Sequence, residues 1–299
     1  SETRGMALRE IAVVGLGNMG GGIARNLDRA GMLCAALDSQ PGRFAAAGFS
    51  DDVREAGIAE ILEAARVILF AVPSCEQIEA ILAKSDGRPG QVIVDLTTSD
   101  PVRSRALSVD LAARGFSYVD AAMTGGAAGA DAGSLTLMVG GEEAAVTACR
   151  AALDAISSRF FHLGPMGSGH AMKLVHNMIL HSNFLATCEG LRLAQRAGLD
   201  LDHAVEVLNA GNARSYVTEV RFPRDILSGT MMARSHIGNL EKDLGLAEEF
   251  AASLDAPVPY GAMTRAVLAQ ALEMGHGSTD FSHLFPLYED LINQWRDEQ

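Results

Sequence analysis

The stretch Ile11-Ala12-Val13-Val14-Gly15-Leu16-Gly17-Asn18-Met19-Gly20 decides how this chain is read. An apolar run that stops at glycines reads as a buried strand. Asn18 to Arg29 then reads as a helix. Gly15, Gly17 and Gly20 fit G-x-G-x-x-G in that strand-to-helix setting. In such a turn the first glycine permits the sharp bend and the second lets a pyrophosphate approach the backbone. The third lets helix and strand pack closely, and the helix N-terminus faces the phosphates. Gly15, Leu16, Gly17, Asn18, Met19 and Gly20 together form the candidate dinucleotide turn.

Outward from that turn, Leu33 to Leu37 reads as a second strand ending at Asp38, about where a ribose-hydroxyl ligand belongs. Asp38 before Ser39-Gln40-Pro41 also suits an ordinary turn. As a ligand, its carboxylate would hold the two ribose hydroxyls of NAD and repel a 2′-phosphate. The expected cofactor is therefore NAD, with NADP second because Arg43 lies close in sequence. Further strands are expected at Val67–Val72, Val92–Leu96 and Tyr118–Ala122, with two more at Leu135–Val139 and Phe160–Leu163. Helices are expected between them, at Asp52–Ala65, Cys75–Lys84 and Pro101–Arg114. This alternation predicts an α/β fold, a Rossmann-type doubly wound parallel sheet covered by helices on both faces.

Ligands on such sheets bind beyond the carboxyl ends of the strands. Val72, Pro73 and Thr98 are thereby placed to meet the nicotinamide half, although turn chemistry accounts for Thr97 and Thr98 equally well. Thr124-Gly125-Gly126 follows a strand and offers backbone N–H groups on small residues plus a hydroxyl, a good carboxylate cradle.

After Gly164-Pro165 the texture becomes helical throughout. The predicted organisation is a dinucleotide-binding domain over 1–165 and an all-helical substrate and oligomerisation domain over 166–299. The second half opens with Gly167-Ser168-Gly169-His170-Ala171-Met172-Lys173-Leu174-Val175-His176-Asn177, in which Lys173 is the only charged side chain between Arg159 and Glu189. Helical spacing puts His170, Lys173, Asn177 and His181 on one face. Two readings of that stripe stand: one wall of an active site, or a lysine snorkelling from a helix start.

Composition narrows the classes. The chain has 299 residues, 48% of them hydrophobic, enough for a sizeable core, and a formal net charge of −13. Without a dense Lys/Arg tract, neither nucleic acid nor an anionic membrane is an expected partner. Cys34, Cys75, Cys149 and Cys188 lie far apart with no zinc-ligand spacing, so no metal site is expected and the thiols read as reduced and buried. No apolar run is long enough to span a membrane and no signal-peptide pattern is visible, which predicts a cytoplasmic protein. Ser1 in place of Met points to processing or a cloning scar, and the first few residues read as a loose arm.

Five motifs in order carry a resemblance. They are GLGNMGGGIARNL (15–27), DLTTSDP (95–101), DAAMTGGAAGADAGSLTLMVGG (120–141), GSGHAMKLVHN (167–177) and KDLGLA (242–247). Nearly the whole chain thus resembles the β-hydroxyacid dehydrogenase family, which includes 3-hydroxyisobutyrate dehydrogenases and tartronate semialdehyde reductases. The resemblance implies that Lys173 is the acid/base, Asn177 orients the substrate, and Thr124, Gly125 and Gly126 hold its carboxylate. It also implies that Lys242 closes over the cofactor and Gln77 meets it, in a homodimer or homotetramer. Thr124 stands where the family more often has Ser, and Met123 where Val is commoner. A lysine in water titrates near about 10.4, so burial would have to lower it for a base at neutral pH.

Lys173-Leu174-Val175-His176-Asn177 also resembles the KxxHN of 6-phosphogluconate dehydrogenases. Those decarboxylating enzymes need a second acid seven residues after the lysine, where this chain has Leu180. Imine reductases share the fold but usually lack the lysine. A non-catalytic module would have lost the lysine or the glycines, and both are present. Arg214, Ser215, Tyr216 and His236 are expected around a substrate such as 3-hydroxyisobutyrate, glycerate, a threonate-like sugar acid or serine.

Overall fold

The computed structural model describes residues 8–297. The N-terminal arm expected from the sequence lies outside the described residues. By compactness the chain divides into two units, one up to Lys173 and one from Leu174 on.

The first unit is an eight-stranded sheet of order β3-β2-β1-β4-β5-β6-β7-β8. Its strands are β1 (Ile11–Val14), β2 (Leu33–Leu37), β3 (Arg54–Glu55), β4 (Val67–Phe70), β5 (Val92–Asp95), β6 (Ser117–Thr124), β7 (Leu135–Gly140) and β8 (Ser157–Gly164). β1, β4 and β5 are apolar and fully buried until Asp95, as strands covered on both faces must be. The helices are α1 (Gly20–Arg29), α2 (Arg43–Ala47), α3 (Ile58–Ala64), α4 (Cys75–Leu82), α5 (Pro101–Ala113), α6 (Gly126–Ala132) and α7 (Glu143–Ile156). One buried cluster centres on Val13, Leu27, Val94 and Leu137, and a second on Ile68, Phe70, Ile78 and Ile93.

Two expectations change. Arg54 and Glu55, inside a stretch read as helix, form the exposed edge strand β3, and the helix starts only at Ile58. The sheet is mixed, because β7 runs antiparallel to β6 before β8 returns parallel to β7. The four cysteines are buried free thiols, and burial pushes Cys75 and Cys149 up to about 12.

The second unit is helical: the remainder of α8 (Ser168–Arg196), α9 (Leu201–Ala210), a π-helical segment Val217–Leu227 containing Pro223, α10 (Ile237–Ser253), α11 (Pro259–Glu273), a 3₁₀ turn at Phe281–His283 and α12 (Leu284–Asp297). Its core includes edge-to-face aromatic pairs, Phe184 with Phe281 and Phe222 with Phe285. Among the described residues no helix is long and apolar enough to cross a membrane.

Candidate active site

The carboxyl ends of the parallel strands gather most of the site residues of the first unit. The glycine turn follows β1, Asp38 follows β2, Val72 and Pro73 follow β4, Thr98 follows β5, and Thr124 ends β6. The glycines have specific steric reasons. Gly15 has φ +98°, and a Cβ there would lie 2.3 Å from the Ala71 carbonyl oxygen. A Cβ on Gly20 would lie 1.8 Å from the oxygen of Gly15. At Gly17 the nearest atom would be Arg43 Nη1 at 3.6 Å, so the turn is open there. Met19 gives α1 no side-chain cap, so its N-terminus keeps N–H groups available to an anion. These features fit a dinucleotide pyrophosphate.

Asp38 is held by the turn it serves. Its Oδ2 accepts from Leu16 N at 2.7 Å, its Oδ1 accepts from Gln40 N at 2.7 Å, and Arg43 Nη1 lies 3.3 Å from Oδ2. Burial alone would raise its pKa, but the two amides and the guanidinium outweigh that and keep the carboxyl below its usual range. Arg43 is the residue the sequence flagged for a 2′-phosphate, and it sits directly on the acid meant to exclude one.

Beyond β4 and β5, Cys75 N donates to Ser99 Oγ at 2.9 Å, and Ser99 Oγ lies 2.6 Å from Thr97 Oγ1. The Thr97 hydroxyl is thus buried and engaged, while Thr98 is half-buried. Gln77 is exposed at the start of α4, its Oε1 bonded by Ser74 Oγ at 2.5 Å. At the end of β6, Thr124 is half-buried, and Gly125 and Gly126 are exposed with φ +129° and +64°. Lys173 Nζ donates to the carbonyl of Met123 at 2.6 Å, one residue before that loop.

Beneath Lys173 lies a polar cluster that sequence reasoning missed. Asp95 and Asp120 are register partners on β5 and β6, and both are fully buried. Two neighbouring buried acids require donors and a counter-charge. Asp95 accepts from Thr97 N at 2.7 Å and from the Tyr118 hydroxyl. Asp120 accepts from Gly167 N at 2.8 Å and His170 N at 2.7 Å. The fully buried His170 ring faces both acids. Its Nε2 lies 3.4 Å from Asp95 Oδ1, and its Nδ1 lies 3.0 Å from Ser104 Oγ. Since the Ser104 hydroxyl donates to Pro101 O, Nδ1 carries the proton toward Ser104. Burial would lower the His170 pKa, but Asp95 and then Asp120 raise it above the ordinary histidine value. Burial opposes the charge on Asp95 as well, and His170 outweighs it. The legible signal was an acid in each of two adjacent strands.

In the second unit the Asn177 amide is fixed from both sides. Its Nδ2 donates to Asp243 Oδ2 at 2.9 Å, and its Oδ1 lies 2.9 Å from His176 Nδ1. His181 Nε2 lies 3.4 Å from the same Asp243 oxygen. Lys242, exposed, precedes Asp243 on α10. Tyr216 is exposed, Arg214 is exposed, Ser215 bonds Thr218, and His236 pairs with Asp280 at the start of α10.

A glycine turn of this kind on a doubly wound sheet defines a dinucleotide-binding protein. Residues 10–164 match the NAD binding domain of 6-phosphogluconate dehydrogenase, and residues 167–288 match the NAD-binding domain of NADP-dependent 3-hydroxyisobutyrate dehydrogenase. The chain is 30% identical to 2-(hydroxymethyl)glutarate dehydrogenase of Eubacterium barkeri, over 94% of this chain and 95% of that one. It is 30% identical to NAD-dependent L-serine dehydrogenase of Pseudomonas aeruginosa, over 96% of this chain and 100% of that one. The solved 3-hydroxyisobutyrate dehydrogenase of Mycobacterium tuberculosis with L-serine superposes with a TM-score of 0.85 at 26% identity, covering 93% of this chain and 98% of that one.

The chain belongs to the 3-hydroxyisobutyrate dehydrogenase family of β-hydroxyacid dehydrogenases. It is an NAD(P)-dependent oxidoreductase acting on the CH–OH group of a 3-hydroxyacid.

Proposed function

We propose that the enzyme oxidises the β-hydroxyl of a small carboxylic acid of the form HOCH₂–CH(R)–COO⁻, and reduces the corresponding semialdehyde, with Lys173 as acid/base and NAD as the preferred cofactor. The observation that carries this reading is the 2.6 Å bond from Lys173 Nζ to Met123 O, which brings the ammonium to the strand end beside Thr124-Gly125-Gly126. Two substrates in the relatives' names, L-serine and 2-(hydroxymethyl)glutarate, share that HOCH₂–CH(R)–COO⁻ core, whereas L-threonate, in another relative's name, carries a secondary β-hydroxyl.

The Thr124–Gly126 loop binds the carboxylate through backbone N–H groups and the Thr124 hydroxyl. Lys173 takes the hydroxyl proton in oxidation and returns it in reduction. Asn177, its amide set by Asp243 and His176, orients the substrate hydroxyl. Nicotinamide, when bound, supplies the hydride acceptor or donor. The glycine turn and Asp38 hold its adenosine side, Val72, Pro73, Gln77 and Thr98 line the nicotinamide side, and Lys242 covers it. Residues 1–165 carry the cofactor, and 166–299 shape the substrate pocket and the oligomer. The exposed apolar positions Val175, Ile179 and Leu193 of α8, from 39% to 69% accessible, support a homodimer or homotetramer.

A screen of 3-hydroxyisobutyrate, L-serine, glycerate and L-threonate with NAD and NADP tests the reading. Turnover of at least one primary-alcohol β-hydroxyacid with NAD is expected. Turnover confined to secondary alcohols, to imines or to a decarboxylated sugar acid would contradict it.

A further inference from the structure

The start of α8 is built to approach the sheet much more closely than a helix normally does. A Cβ on Gly169 would lie 2.2 Å from Met138 O and 2.9 Å from Asp120 Oδ2. A Cβ on Gly140 of β7 would lie 2.4 Å from Asp120 Oδ1, and Gly167 has φ +93°. Gly140 and Gly169 therefore leave room for one carboxylate, that of Asp120, while Gly169 also lets the helix approach the Met138 carbonyl and Gly167 clears the Arg105 side chain. Asp120 accepts the Gly167 amide just before the helix and the first-turn amide of His170, an arrangement favoured both by charge-assisted bonding and by the helix dipole.

The same two elements meet again three residues further along each. On β6, Asp120 is followed by Met123, and on α8, His170 is followed by Lys173. The lower contact joins Asp120 to the His170 amide, and the upper one joins Met123 O to Lys173 Nζ. Three residues advance a strand by about 10 Å and a helix by about 4.5 Å. The extended lysine stem bridges that difference. The height of the ammonium is then set by where Asp120 anchors the helix. The His170 ring adds a second anchor through Ser104 of α5 and Asp95 of β5.

We propose that Asp120 and His170 are positioning residues for Lys173, fastening the first turn of α8 to the ends of β5 and β6 so that its ammonium stands at the Thr124–Gly126 loop. The assignment builds on Lys173 as the acid/base. It differs from a general structural role because its effect must pass through that one side chain.

The experiment is a double-mutant cycle of Asp120→Asn and Lys173→Ala, assayed on the best substrate among 3-hydroxyisobutyrate, L-serine and glycerate. It is paired with acetic anhydride labelling of Lys173 against Lys84, read by peptide mass spectrometry. Asp120→Asn should lower kcat by about 10- to 100-fold, the scale of a displaced catalytic group. The KM for NAD should stay within about twofold, since the glycine turn is remote. Lys173 labelling should change several-fold and Lys84 labelling should not. In the Lys173→Ala background the same substitution should add less than about twofold, because residues acting as a unit are not additive. Equal losses in both backgrounds, or unchanged Lys173 labelling, would overturn the proposal. Near-normal turnover by Lys173→Ala would instead sink the acid/base reading, with labelling still reporting on positioning. If Asp120→Asn fails to fold, His170→Gln, which keeps the Asp120–amide bonds, should give the same pattern at about 3- to 10-fold. An additive His170→Gln effect would equally overturn the proposal.

Discussion

Two helices of the first unit begin just after glycine-rich turns, and the two starts are finished differently. At α1 the glycines let the chain bend and pack, and no described side chain caps the helix. At α8 Gly169, with Gly140 of β7, leaves room for a buried carboxylate, and Asp120 takes up the amides of Gly167 and His170. An uncapped start keeps its N–H groups for a ligand anion, whereas a start satisfied from within the protein has become an anchor. The same residue type thus serves binding in one place and mechanical reference in the other. What distinguishes them is where the acid bonds: Asp38 holds the turn before α1 through Leu16 N, whereas Asp120 takes amides at the start of α8 itself.

The strongest way to break that contrast is at Gly169. Gly169→Ala places a methyl 2.2 Å from a backbone oxygen that cannot rotate away. Loss of cooperative folding, or a destabilisation of about 4 kcal/mol or more, is expected by denaturant unfolding. Gly17→Ala, where the nearest atom is the mobile end of Arg43, should fold normally and weaken NAD binding instead. Equal folding defects in the two variants would erase the distinction.

A second effect of intermediate size concerns pH. His170 has a folded pKa above its unfolded value, so its contribution is fully present below about pH 6.5 and is lost as pH rises through the folded value. Asp95 is shifted down, so its contribution is present above about pH 3.9 and is lost as pH falls through its folded value. The groups facing the ring are Asp95, Asp120, Ser104 and the Thr97 backbone, and Tyr118 bonds Asp95 behind them. The pair should therefore stabilise most between those limits. His170→Gln should flatten the alkaline decline of Tm and leave α1-side NAD binding unchanged. An unaltered alkaline slope would show that His170 is neutral.

The smallest expected effect lies at the α1 side. Asp38→Ala removes the acceptor of Leu16 N and the partner of Arg43. The ratio of kcat/KM for NAD over NADP should fall by about tenfold, with Arg43 freed to meet a 2′-phosphate. A preference for NADP in the unmodified enzyme would remove the premise.

β1, β2, β4 and β5 could be read from the chain because each is an apolar, buried run stopped by a glycine, proline or acid, as at Val14-Gly15 and Phe70 to Pro73. β3 could not, because Arg54 and Glu55 are exposed and pair on one side only. The antiparallel turn into β7 was equally hidden, since an apolar run carries no strand direction. In the candidate site, the local signals were legible: the glycine spacing, Asp38, the Thr124–Gly126 loop and the stripe around Lys173. The Asp95–His170–Asp120 cluster was not. His170 lies 50 residues from Asp120 and further still from Asp95 in sequence, and only the register of β5 on β6 reveals that the two acids adjoin. The clamp on Asn177 was missed for the same reason, as Asp243 arrives from α10.

The central claim is that the anchored helix exists to present Lys173. Single-turnover kinetics of Lys173→Ala, with NAD affinity measured in parallel by NADH fluorescence, tests it most directly. A fall in the chemical step by about 10²–10⁴-fold with cofactor affinity within about twofold is expected, since a positioned acid/base is worth that much. A near-wild-type chemical step on the true substrate would show the polar stripe of α8 to be structural and contradict the account.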